Sequence, residues 1–238
     1  MRALFMLLMT LPLLAVEPDF GKFDGTAVII DLNSSTKTVY GTHADERVNP
    51  CSTFKILNSM IALDSGVVRD ENETIKWDRV VRGYPAWNQD HSMRSAISVS
   101  VVWFYQEMAR CVGAERMARI VAQAHYGNGD TSRTLTDFWL GGGSLLISPY
   151  EEARFLKALV EEKLPFSKRS MRTAKDIITL RKDKQSILAG KTGSCNGIGW
   201  FVGFIERYDD TQVFAFQIRG DGANGAEAKK IALEYLKN

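Results

Sequence analysis

Between positions 26 and 40 the chain alternates two β-branched runs, Thr26-Ala27-Val28-Ile29-Ile30-Asp31-Leu32 and Thr36-Lys37-Thr38-Val39-Tyr40, around the polar tripeptide Asn33-Ser34-Ser35. This pattern predicts a hairpin. After Pro50 the spacing changes: over 52–63, Phe54, Ile56, Leu57, Met60, Ile61 and Leu63 are apolar around most of a helical circumference, as in a helix buried between two layers, and Gly66 marks its stop. Helical patterns dominate residues 67–179. They predict helices over 98–110, ending before Gly113, and over 114–124, ending before Tyr126-Gly127-Asn128. Ser148-Pro149-Tyr150-Glu151 has the residues of a capping box, and Phe155, Leu156, Leu159 and Val160 follow as an apolar stripe. Strand character returns over 186–194, 199–205 and 212–218, with Cys195-Asn196-Gly197 as a tight connection and a closing helix over 226–236.

Strands at both ends with helices between them predict an α/β protein of the α+β type: one antiparallel sheet flanked by helices, with a mainly helical lobe inserted. A sheet lobe from about 17–64 and 180–238 and a helical lobe from about 65–179 would form one unit over 17–238, for which 238 residues at 45% hydrophobic content supply an ample core. The first 16 residues hold one Arg followed by an apolar stretch broken by Pro12. They are too short to span a bilayer and read as a signal peptide, with a periplasmic or secreted product. A net charge of +2 gives no electrostatic reason to expect nucleic acid or a membrane surface as partner, which leaves small molecules.

Cys51, Cys111 and Cys195 lack metal-ligand spacing, and as an odd set they leave at least one thiol unpaired; their pairing stays open. Cys51 reads as a small buried residue, because no neighbouring His activates it. His43, His91 and His125 are scattered singly, so no metal is expected and each His is read as structural.

Two short segments carry the chemistry. Ser52-Thr53-Phe54-Lys55 sets a hydroxyl and an amine three positions apart, on one face of a helix. A serine attacks only when something takes its proton, and Lys55 is the local candidate. Holding a lysine neutral at pH 7 costs about 4 to 5 kcal/mol unless burial shifts its pKa. A dry, neutral amine is also the form that adds carbon dioxide, giving a carbamate, N6-carboxylysine, that carries negative charge and works as a stronger base near neutral pH. Lys191-Thr192-Gly193, on a predicted strand, offers a cation and a hydroxyl to an anionic substrate.

Together with Ser100-Val101-Val102, Tyr126-Gly127-Asn128 and Phe138-Trp139-Leu140, these segments resemble, in order, the motifs of the class D β-lactamases, or oxacillinases, within the penicillin-recognising serine enzymes. The resemblance covers nearly the whole chain after the leader. It implies a serine β-lactamase/transpeptidase-like fold and hydrolysis of a small β-lactam through an acyl-enzyme on Ser52, with carboxylated Lys55 as base and Ser100 relaying a proton to the lactam nitrogen. Trp139 would donate to the carbamate, while Phe54, Val102 and Leu140 keep it dry. Lys191, Thr192, Gly193 and Ser194 would bind substrate, with the backbone N–H groups of Ser52 and Ser194 as oxyanion hole, and Tyr126 and Asn128 would shape the cleft. Arg219, Lys229 and Lys230 are the candidates for a further carboxylate anchor.

No cofactor is implied beyond carbon dioxide or bicarbonate, and no stable membrane partner; the chain would be a monomer or homodimer. Gly141-Gly142-Gly143 makes the Trp139 loop Gly-rich and prone to be loose. The same architecture serves β-lactam sensors that are acylated without turnover and cell-wall D,D-peptidases. Ser-Val-Val at 100–102, where a peptidase carries Ser-x-Asn, speaks against the last.

Overall fold

In the computed structural model, which describes residues 17–237, strand β1 (Asp24–Asp31) turns back into β2 (Lys37–Tyr40), as the alternation predicts. The leader predicted over 1–16 lies outside the described residues. A 3-10 turn over Cys51–Phe54 runs directly into α1 (Lys55–Asp64), whose residues are buried from Lys55 through Ala62. The helix expected from position 52 thus begins as a tighter turn. Two short strands follow, β3 (Thr74–Ile75) and β4 (His91–Ser92), and then α2 (Met93–Ser98), α3 (Val102–Val112) and α4 (Ala114–Gln123).

The continuous helix predicted over 98–110 is corrected here. α2 ends at Ser98, Ser100 takes a left-handed backbone with φ 55°, and α3 starts only at Val102. Helix propensity over this stretch permits continuity, and the break is held by tertiary contacts described below.

Farther on, α5 (Pro149–Val160) opens with the predicted capping box, Ser148 accepting from Glu151 N–H and the Glu151 carboxylate accepting from Ser148 N–H. α6 (Lys168–Ile177), β5 (Thr179–Lys182), β6 (Ser186–Cys195), β7 (Ile198–Arg207), β8 (Thr211–Arg219) and α7 (Gly225–Tyr235) complete the chain. Cys195 pairs with Ile198 across a two-residue turn in which Asn196 and Gly197 both have positive φ, 47° and 71°, the turn an Asn-Gly pair favours.

The main sheet is antiparallel in the order β2-β1-β8-β7-β6-β5, so strands from both ends of the chain meet at its centre, β1 beside β8. Alternation divides its side chains between two cores. Ala27, Ile29, Phe201, Phe214 and Phe216 pack with Ala228, Ile231 and Ala232 of α7, while Val28, Val202, Val213 and Ala215 join the larger core of the helices. The lobe boundary differs from the sequence reading at two helices. α5 lies within 65–179 yet packs on β1, β7 and β8, and α1 packs among α3, α4 and α6. α1 therefore carries the first lysine into the seam between sheet and helices.

Candidate active site

Three elements converge on this seam. The turn over Cys51–Phe54 supplies Ser52, the break between α2 and α3 supplies Ser100, and β6 supplies Lys191. Lys55 has no exposed surface, and its Nζ donates to Ser52 Oγ at 2.7 Å. When the amine loses its proton, the same nitrogen presents a lone pair to the serine hydroxyl. Desolvation, with the Lys191 charge adding to it, holds the Lys55 pKa well below the ordinary lysine range. The Tyr105 ring lies 5.4 Å from Nζ, and Tyr105 itself is fixed by a hydroxyl contact with Ser59.

Lys191 donates to Ser100 Oγ and, at 2.9 Å, to the carbonyl of Thr192. Burial, and then the Lys229 charge, bring its pKa down to about 7. The structure thus links Ser52 to Lys55 and Ser100 to Lys191. Cys51 and Ser100, one beside and one within the reacting set, both adopt left-handed φ, 53° and 55°. Non-glycine residues pay about 1–3 kcal/mol for such backbones, which persist where surrounding contacts over-determine them.

Close approach of β6 to the Ser52 turn explains the glycine of Lys-Thr-Gly. A Cβ on Gly193 would meet the Pro50 carbonyl oxygen at 2.9 Å and Thr53 Cγ2 at 3.2 Å. Gly190 N–H bonds to Ile178 of the β5 side, and the period of two turns Thr192 N–H and Ser194 N–H the same way, toward the edge that β5 leaves uncovered. Cys51 and Cys195 form a disulfide with Cα atoms 6.0 Å apart, which pins the Ser52 turn to the end of β6. Cys51 is buried, as expected, and the pairing that the sequence leaves open is with Cys195; a separation of 144 positions gives no local signal of it, and Cys111 is an exposed thiol. Replacing both Cys51 and Cys195 by serine is expected to lower unfolding free energy by about 2–5 kcal/mol, read from denaturant melts.

Trp139 is fully buried and stacks on Phe54 at 5.3 Å, yet its Nε1–H has no hydrogen-bond partner among the described residues. A buried donor without an acceptor costs about 1–3 kcal/mol, so it calls for a reason. Val102 and Leu140 are half-buried nearby in sequence to Ser100 and Trp139. The expectation of a loose Gly-rich loop does not hold. Asn49 Nδ2 donates to the carbonyls of Gly143 and Leu145, both at 3.0 Å, and its Oδ1 accepts from Gly142 N–H at 2.9 Å. Asn49, which the sequence reading missed, also accepts from Trp200 Nε1 through its own carbonyl, and no motif marks it.

Of the two residues expected to shape the cleft, Tyr126 is buried and Asn128 is exposed. The Tyr126 ring is buried and its hydroxyl donates to Glu152 at 2.7 Å, while the Asn128 side chain bonds Ser144 and Leu146, tying the turn after α4 to the segment before α5. Among the anchor candidates, Arg219 donates through Nε to Gln217 and through Nη1 to Glu46, while its buried Nη2 has no partner among the described residues; Lys230 is exposed. Lys229 lines a cavity of about 130 Å³ with Lys191, Thr192 and Ser98.

The model of the penicillin binding protein transpeptidase domain matches residues 25–237. The probable β-lactamase YbxI of Bacillus subtilis is 39% identical over 226 residues, covering 93% of this chain and 83% of that protein. The BPu1 β-lactamase structure superposes with a TM-score of 0.88 at 45% identity, covering 92% of this chain and 93% of that one. The chain belongs to the class D β-lactamases. This class D chain is similar as well to the C-terminal domain of the Bacillus licheniformis BlaR penicillin-receptor, with a TM-score of 0.84, 34% identity and 90% of each chain covered. Family membership alone therefore leaves both a turnover enzyme and a receptor within range.

Proposed function

We propose that the protein hydrolyses the lactam amide of penicillin-type antibiotics through an acyl-enzyme on Ser52, with Lys55, carboxylated on Nζ, as general base. The observation that carries this reading is the fully buried Lys55 amine 2.7 Å from Ser52 Oγ. Ser52 Oγ forms a bond to the lactam carbonyl carbon as its proton passes to the base, and the carbonyl oxygen takes the developing charge beside the N–H groups of Ser52 and Ser194. Collapse breaks the carbon–nitrogen bond. The nitrogen takes a proton from Ser100 Oγ, which is resupplied through Lys191, the neighbour whose pKa near 7 suits both giving and taking a proton. The base releases the Ser52 proton to solvent; water then loses a proton to it and attacks the ester carbon, and as the carbon–oxygen bond breaks Ser52 Oγ takes that proton back.

The residues around Lys55 fit a carboxylated lysine. A carbamate is an anion needing donors in a dry pocket, and the orphaned Trp139 Nε1–H, on a ring stacked against Phe54, is such a donor. Carboxylation supplies a base that ionises below the free amine. The test is to follow loss of the lactam chromophore with and without added bicarbonate, with faster hydrolysis expected in its presence and none at all contradicting the reading.

A receptor reading is kept by the similarity to BlaR; it requires that acylated Ser52 persist. Lys229 is proposed as the substrate-carboxylate anchor, since it joins Lys191 and Thr192 at one cavity. Lys229→Ala is expected to raise KM for penicillins about tenfold with little change in kcat, and Lys230→Ala to leave both in place, as steady-state kinetics would show. The Cys51–Cys195 disulfide supports export to an oxidising compartment, the destination proposed from the leader.

A further inference from the structure

Behind the nucleophile turn lies a buried carboxyl that the chemistry above does not use. Glu152, in the first turn of α5, has no exposed surface and forms no ion pair among the described residues. Its Oε1 accepts from the Tyr126 hydroxyl at 2.7 Å and lies 2.5 Å from Thr53 Oγ1, while Oε2 has no partner among the described residues. Thr53 Oγ1 also lies 2.9 Å from the Pro50 carbonyl oxygen.

A threonine hydroxyl has one hydrogen to give. With Glu152 ionised, that hydrogen is contested between two acceptors, and Oε2 is a bare anionic oxygen in an apolar interior. With Glu152 neutral, its own hydrogen goes to Thr53, the Thr53 hydrogen goes to Pro50, Tyr126 donates as before, and Oε2 is only an unpaired carbonyl. The neutral acid satisfies every short contact. Burial, with the Glu151 charge adding, raises the Glu152 pKa to about 7 against the downward pull of Thr53 and Tyr126.

Other titratable groups around it are accounted for. Glu151 is paired with Arg47, and Arg172 and Lys175 of α6 hold Glu162 beyond the far end of α5. The strand face under α5 presents Val28, Ile30, Val213 and Ala215, then Gln217 and Arg219, the latter bound to Glu46.

We propose that Glu152 is a positioning residue for the reaction of Ser52: its neutral carboxyl, bonded through Thr53 to the Pro50 carbonyl, holds the turn in which Ser52 faces Lys55, and its ionisation releases that turn. The inference rests on Ser52 being the nucleophile. Glu152→Gln keeps a donor for Thr53 and has no proton to lose. The rate of Ser52 labelling by a fluorescent penicillin is measured for the full chain and for E152Q between about pH 6 and about pH 8.5, and the ratio of wild type to variant is expected to fall about tenfold or more. Dividing by the variant removes the pH response of Lys55, which both share.

Difference infrared spectra, wild type minus E152Q, are expected to show a neutral carboxyl stretch at the acid end that fades toward the alkaline end. Thr53→Val, which cuts the link to Pro50, is expected to remove the pH dependence of the ratio as well. A flat ratio in a wild type that takes the label, or no carboxyl band at the acid end, overturns the proposal alone. A wild type that takes no label overturns the reading of Ser52 and this proposal with it.

Discussion

Lys55→Ala is expected to reduce penicillin turnover by about 10²–10⁴-fold, the range a general base contributes, and to abolish any response to bicarbonate. Ser52 stays in place in this variant, carried by a turn that the Cys51–Cys195 disulfide holds, so slow acylation should continue and the acyl-enzyme should accumulate. Rapid-quench kinetics separate the two steps.

The same residue predicts a pH effect on stability. Burial lowers the folded-state pKa of Lys55 below its unfolded value, so the unfolded chain binds the extra proton first as pH falls. The contribution is therefore present above the unfolded lysine value and is lost as pH falls through the folded one. Thermal melts should show wild type losing stability on acidification faster than Lys55→Met, whose buried side chain has no proton to gain.

Trp139→Phe tests the second half of the base. The ring still stacks on Phe54, but the N–H is gone. If that N–H holds a carbamate, deacylation should fall about 10- to 100-fold, with partial recovery at raised bicarbonate. Stability should move little or rise, because the lost donor has no protein acceptor and leaving it buried costs about 1–3 kcal/mol. Activity and stability moving in opposite directions is the signature. Unchanged deacylation in a more stable variant would show that the indole N–H serves no anion.

Much of this site is legible in the sequence because its signals are local. The alternation of 26–40, the apolar circumference of α1, the Ser148–Glu151 capping box and the Asn196-Gly197 turn each lie within fifteen residues, and each maps onto its element. What escapes is set by contacts between distant segments. Residues 98–110 carry helix-compatible side chains throughout, and the left-handed Ser100 that splits them is met by Lys191, 91 positions away. Pairing of Cys51 with Cys195 spans 144 positions, and the Asn49 clasp on the Trp139 loop spans more than 90. Glu152 follows a capping glutamate in a polar first turn and gives no sign that it is buried; only the fold sets it against Thr53 and Tyr126.

The most direct test is intact-mass spectrometry of the protein mixed with a penicillin in bicarbonate buffer, sampled over time alongside lactam hydrolysis. The account predicts an adduct of one opened penicillin on Ser52 that forms, turns over many times its own concentration of substrate, and decays to the unmodified mass when substrate is exhausted. An adduct that persists after stoichiometric loss of penicillin, or hydrolysis with no mass ever appearing on Ser52, would contradict it.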